Sequence, residues 1–204
     1  MPSSCRTLCW LVVVHLAFPA ISAPQSASDH VLPSLDPNKR ISQYVLDIWG
    51  DEEGLPYGNI LDIAQTTDGY LWLVTDGGLL RFDGIRFTVY NFENTPVFKS
   101  NILRELLVSS DGSLWIAAME GGLIRFKDGQ FSAWTSTEGL ASNDVASLCE
   151  DRDGTIWFHA AGGLHQWQEN KIVSFPDPTG ITQIHSKAIM PDQAGNFLLA
   201  GLAG

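Results

Sequence analysis

Three markers recur along this chain in one register, and that recurrence restricts the fold more than any other property. Asp68-Gly69-Tyr70-Leu71-Trp72 returns as Asp111-Gly112-Ser113-Leu114-Trp115 and as Asp153-Gly154-Thr155-Ile156-Trp157. A degraded copy stands at Ala194-Gly195-Asn196-Phe197-Leu198, and the glycines at 69, 112, 154 and 195 are 43, 42 and 41 residues apart. Asn59, Asn101 and Asn143, each 42 residues from the next, precede the apolar run before each Asp-Gly. Five or six residues after each Trp comes Gly77-Gly78-Leu79, Gly121-Gly122-Leu123 or Gly162-Gly163-Leu164.

Each unit divides into strand-length apolar runs separated by turn residues. In the first unit the runs are 60–65, 70–75, 79–82 and 85–92, broken by Thr67-Asp68-Gly69, Asp76-Gly77-Gly78 and Asp83-Gly84. Asp-Gly between apolar runs suits a tight hairpin, because Gly tolerates positive φ. The second unit repeats this turn at Asp128-Gly129, and the third substitutes Glu169-Asn170, Asn being the next-best residue there. Four short antiparallel strands in about 42 residues is the anatomy of a propeller blade. The expected fold is therefore all-β: four-stranded blades in an incomplete ring, covering 59–95, 101–138, 143–179 and, in part, 185–204. The twelve repeat positions Asp68, Gly69, Trp72, Gly78, Asp111, Gly112, Trp115, Gly122, Asp153, Gly154, Trp157 and Gly163 are read as scaffold.

Trp49 precedes Gly54-Leu55 by five positions, as Trp134 precedes Gly139-Leu140, so 41–49 reads as a fourth strand placed ahead of the first blade. Such a strand closes a propeller by completing its last blade. The Gly-Gly marker of the fourth unit has not arrived by Gly204, and seven blades would need roughly 290 residues. The expectation is a fragment of a longer protein.

These residues resemble the two-component regulator propeller repeat. Gly54-Leu55-Pro56-Tyr57-Gly58-Asn59, Asp68-Gly69-Tyr70-Leu71-Trp72-Leu73-Val74-Thr75 and Gly78-Leu79-Leu80-Arg81-Phe82-Asp83-Gly84 follow that pattern in the first unit. Leu114-Trp115, Gly122-Leu123-Ile124-Arg125-Phe126 and Asp128-Gly129 keep it in the second; Gly139-Leu140-Ala141-Ser142-Asn143, Ile156-Trp157 and Gly163-Leu164 keep it in the third. The Gly-Thr expected after each Trp is replaced by Val74-Thr75, Ala117-Ala118 and His159-Ala160, and the Arg after Gly-Gly-Leu becomes Gln166 in the third unit. The resemblance implies a sensor region outside the cytoplasm in a bacterial membrane receptor. Its histidine kinase, diguanylate cyclase or DNA-binding output module would lie beyond this chain. It also implies a small-molecule or carbohydrate ligand, further C-terminal blades, a dimer partner, and membrane attachment only through the rest of the parent.

Residues 1–23 read as a signal peptide, with Arg6 ahead of an apolar stretch from Leu8 to Phe18 and the small residues Ala20, Ser22 and Ala23 after it. As a helix that stretch would span about 16 Å, too short for a hydrocarbon core of about 30 Å. A signal anchor is the alternative. Residues 24–40, rich in Pro, Ser and Asp, read as a linker. The formal charge of −11 disfavours a nucleic-acid partner, because an acidic surface repels phosphate. Cys5 and Cys9 fall in the leader, leaving Cys149 among apolar neighbours, where a thiol acts as a small hydrophobe.

No catalytic, cofactor or metal residue is assigned. Trp72, Trp115 and Trp157 suit packing between blades better than stacking on a sugar, and the Asp of each Asp-Gly suits a turn-holding role. Asp51-Glu52-Glu53 reads as a solvated loop, and His159 and His165 lack a third ligand for a metal. The alternatives to a sensor are a secreted propeller lyase or glycosidase, or a remnant without a function of its own.

Overall fold

The computed structural model describes residues 11–15, 38–40, 42, 45–56, 58–160, 163–176, 185–192 and 196–202. The chain divides into two compact units, Met1–Tyr57 and Gly58–Gly204. In the first, β1 (Leu11–His15) pairs antiparallel with β2 (Val45–Trp49), from Leu11 opposite Trp49 to His15 opposite Val45. The segment read as the closing strand is thus extended over Val45–Trp49. Its partner within the unit is the centre of the apolar leader, itself extended rather than helical. A one-turn 3-10 segment, Asp51–Glu53, follows, with the Gly50 N–H donating to Glu53 Oε2 at 2.7 Å and the Leu55 N–H to the Gly50 carbonyl at 3.0 Å. The remainder of 1–23, most of the 24–40 linker, Gly162 and the Ala194-Gly195 copy lie outside the described residues.

The second unit is a row of antiparallel meanders. The first blade comprises β3 (Ile60–Gln65), β4 (Leu71–Thr75), β5 (Gly78–Phe82) and β6 (Phe87–Tyr90), paired in that order. The second comprises β7 (Leu103–Val108), β8 (Leu114–Ala118), β9 (Gly122–Lys127) and β10 (Gln130–Trp134). The third comprises β11 (Val145–Glu150), β12 (Ile156–Ala160), β13 (Gly163–Gln168) and β14 (Lys171–Pro176). A fourth sheet holds β15 (His185–Pro191) and β16 (Phe197–Leu202). Among the described residues these blades form an open row rather than a closed ring.

Burial explains the pattern. The second strands, Leu-Trp-Leu-Val-Thr and Leu-Trp-Ile-Ala-Ala, are covered on both faces and carry unbroken apolar runs. The outer strands β6 and β10 are half-buried and mix polar with aromatic residues. The third-to-fourth-strand turns of the second and third blades place two adjacent residues at positive φ, Asp128 (51°) with Gly129 (77°) and Glu169 (52°) with Asn170 (62°). The first blade differs: residues 83–86 form a longer connection, held by Asp83 Oδ1 accepting from the Ile85 and Arg86 N–H groups at 2.8 and 2.7 Å.

Cores form between blades rather than within them. Trp72, Val74 and Leu79 of the first blade meet Leu106, Leu114, Ile116 and Ile124 of the second. Trp115, Ala117 and Leu123 of the second meet Leu148, Ile156 and Phe158 of the third. No helix among the described residues is long and apolar enough to cross a membrane.

Candidate functional site

The turns before each Trp bring its neighbours into a relay. Trp72 Nε1 donates to Thr66 Oγ1 at 3.1 Å, and the Thr66 hydroxyl donates onward to Asp68 Oδ1. Trp115 Nε1 donates to Ser109 Oγ at 3.2 Å, and Ser109 to Asp111 Oδ1 at 2.6 Å. Burial opposes the Asp111 charge, but Lys127, Ser109 and Ser113 outweigh it and hold its carboxyl well below the usual carboxylate range. In the third blade Asp151 rather than Asp153 takes this part. It accepts directly from Trp157 Nε1 at 2.7 Å and from the Asp153 and Thr155 N–H groups at 3.0 and 2.9 Å. The indoles lie between blades: Trp72 stands 4.8 Å from the Phe126 ring, Trp115 4.9 Å from Trp167, and Trp157 4.6 Å from Phe197.

A second repeated device lies on the first strand of each blade. Every first strand carries a bulge at one place, between Ile60 and Asp62, Leu103 and Glu105, Val145 and Ser147, and Ser186 and Ala188. Bulges re-aim the side chain that follows them. Here that side chain reaches the next blade: Asp62 Oδ2 accepts from the Leu106 N–H at 2.7 Å, and Glu105 Oε2 from the Leu148 N–H at 2.9 Å. Just above, Arg104 pairs with Asp144 at 3.0 Å across the second junction. The matching positions of the first junction hold Leu61 and Ile102, each 55% exposed.

Burial, opposed by the Leu148 bond and reinforced by Asp62, pushes the Glu105 carboxyl up to about 7. Cys149, buried and facing Glu105 and Asp151, is pushed up to about 12, which suppresses its thiolate at neutral pH. An acid with a higher pKa folded than unfolded binds its proton more tightly in the fold. Glu105 therefore supports the fold below its ordinary pKa of 4.5 and works against it as pH climbs through about 7. Glu105→Gln, which can still accept the Leu148 N–H bond, is expected to match the parent in urea midpoint near pH 4.5 and to exceed it above pH 7. Parallel pH profiles for the two proteins would remove Glu105 from this role.

The histidines do not meet as ligands. His165 is fully buried, stacked on Phe158 at 5.2 Å, with Nδ1 3.0 Å from Ser174 Oγ; burial, then His159, lower its pKa to about 4. Among the described residues no three His, Cys, Asp or Glu side chains converge on a metal position. Asp51-Glu52-Glu53 forms the 3-10 turn described above. Neither Asp62 nor Glu105 was marked by sequence reasoning, although each stands three or four residues after a repeat Asn and so keeps the period.

Residues 54–77 and 139–162 match the family model of the two component regulator propeller. At those two stretches, 24 residues each, the chain is similar to the two component regulator propeller repeat. Each matched repeat runs from the Gly-Leu before a first strand through the second strand to the Gly-Gly turn. The second blade folds identically in strand order but departs from the repeat's opening Gly-Leu. Phe98, buried three residues before Asn101, stands there as Leu140 stands before Asn143.

No curated protein matches the chain. Among solved structures, the extracellular domain ascribed to a hybrid two component system of B. thetaiotaomicron is similar at 22% identity and a TM-score of 0.62, over 71% of this chain and 21% of that one. A second such domain, ascribed to a one component system of the same organism, shares 18% identity at a TM-score of 0.59, over 76% and 24%. Virginiamycin B lyase from Staphylococcus aureus shares 16% identity at a TM-score of 0.60, over 78% and 54%. These likenesses establish the propeller fold. The chain spans between a fifth and a quarter of the two extracellular domains and about half of the lyase.

Proposed function

We propose that this chain is part of the sensory propeller of an extracytoplasmic signalling receptor of the two-component type, with its output module carried elsewhere in the parent. The observation that carries this reading is the pair of matched regulator-propeller repeats, two periods apart, on either side of a blade with the same strand order. The apolar leader around β1 supports export, and the acidic composition supports a partner other than nucleic acid. A small molecule or carbohydrate is the ligand class this reading expects, held by loops of several blades, and the chain itself performs no chemistry.

The lyase likeness favours a second reading, a secreted propeller enzyme, because its TM-score equals or approaches those of the extracellular domains. Alkaline phosphatase fused after Gly204 is expected to be active in cells only when residues 1–23 are present, and the exported chain is expected to leave intact quinupristin, the molecule present with a catalytically inactive virginiamycin B lyase. Phosphatase activity independent of residues 1–23, or consumption of quinupristin, would overturn the sensory reading.

A further inference from the structure

A cleft of about 440 Å³ opens between the outer strands of the first two blades, within the size range of small-ligand sites. Arg81, Val89 and Tyr90 of the first blade form one wall, Phe126, Gly129 and Phe131 of the second form the other, and the loop at 94–96 forms a rim. The Arg81 guanidinium carbon stands 4.6 Å from the centre of the Tyr70 ring, 5.7 Å from Trp72 and 5.9 Å from Tyr90. The guanidinium thus lies over ring faces. The five N–H donors, however, point outward in the guanidinium plane, where rings cannot satisfy them. Among the described residues the Arg81 guanidinium has no hydrogen bond or ion pair; its contacts are the rings.

The next blade carries an arginine at the same repeat position. Arg125 lies 5.1–5.5 Å from the centres of Trp115, Trp134 and Trp167, with its Nε sealed from solvent. At the first junction the repeat position of Trp167 holds Phe126, a smaller ring that lines the cleft together with Arg81. The remaining lining is largely apolar. Asn94 directs its amide to the Val89 carbonyl at 2.9 Å, and its Oδ1 accepts from the Asn91 N–H and the Thr95 hydroxyl at 3.0 and 2.8 Å. Those groups hold the rim rather than offering themselves to a polyhydroxylated ligand.

From this we infer that the Arg81 cleft binds an aromatic carboxylate. Its carboxylate takes two in-plane guanidinium N–H groups, and its ring lies among Tyr90, Phe126 and Phe131. The site goes beyond the sensory reading, since it lies wholly between two blades and would fill whether or not a parent signals.

The test uses the exported chain, titrated by calorimetry and by the fluorescence of its tryptophans, with 4-hydroxybenzoate as the probe. Benzamide is the uncharged control and galacturonate the non-aromatic acid. Saturable binding of 4-hydroxybenzoate is expected, at least about tenfold tighter than either control, and Arg81→Met should lose about tenfold or more. Gly129→Asn guards against misfolding: Asn tolerates the positive φ of 77° there, a Cβ meets nothing within 4 Å, and the added side chain enters the cleft. It should weaken binding with an unchanged melting temperature. Equal binding of benzamide, preference for galacturonate, or full affinity in both variants would overturn the assignment. No binding of any of the three would overturn it too, while leaving the sensory reading, with its ligand held elsewhere, intact.

Discussion

Replacing Trp115 by alanine is expected to lower the unfolding free energy of the exported chain by about 3–5 kcal/mol, the range for truncating a fully buried large aromatic. Trp115 is only 1% exposed and belongs to the core shared by the second and third blades. Its ring meets Trp134 of its own blade at 5.8 Å and Trp167 of the next at 4.9 Å, and carries Arg125 at 5.5 Å. Truncation would leave a cavity across a blade junction, strand the Ser109 hydroxyl that accepts from Nε1, and remove a ring from beneath a guanidinium. Trp115→Phe keeps most of the volume and should cost distinctly less. Urea denaturation followed by far-ultraviolet circular dichroism is the measurement, and a loss below about 1 kcal/mol for the alanine variant would show that blade packing does not depend on the indole.

The second large effect is expected at Gly122. It opens β9 at a φ of 75°, and a Cβ built there would overlap the carbonyl oxygen of Trp134 while pressing Leu140 at 3.2 Å. The Gly122 N–H also donates to the Asn143 carbonyl at 2.9 Å, so the backbone here cannot retreat without releasing the third blade. Gly122→Ala therefore combines a left-handed backbone penalty of about 1–2 kcal/mol with a clash against main chain rather than a yielding side chain. Gly129→Ala supplies the comparison, since it shares a φ of 77° yet finds nothing within 4 Å. The first substitution should prevent cooperative folding or lower the midpoint severely, and the second should cost only the backbone penalty. Equal effects would mean that strain alone, not the approach of the outer strand, demands glycine at the repeat position.

What was legible in the chain and what was not divide along a physical line. Features set within one blade recur in sequence: the Trp of the second strand, the Gly-Gly turn, the Asp-Gly hairpin. Their geometry depends on residues a few positions away, so the period alone reveals them. Most links between blades join residues some forty or more positions apart, and similar geometry there is met by different side chains. Asp62 and Glu105 reach the next blade with carboxylates of different length. The turn-holding acid shifts from Asp111 in the second blade to Asp151 in the third, where no hydroxyl intervenes between Trp157 and the carboxylate. Asp153, the residue that keeps the sequence register, contributes a backbone N–H instead. The Arg81 cleft is illegible for the same reason, because its lining is shared between two blades.

The carboxylates that cross from the first two bulges to the following blade bear on how the row is held together. In a linear array, cooperativity is set joint by joint, and opening begins where neighbouring modules are least coupled. At the first two joints a carboxylate holds a main-chain N–H of the next module. At the third, the corresponding residue is Ser147, whose hydroxyl is buried without a hydrogen-bond partner. A polar atom left in that condition weakens the joint it occupies instead of bracing it. The bulge residue of the third joint therefore supplies no carboxylate brace of the kind that Asp62 and Glu105 supply.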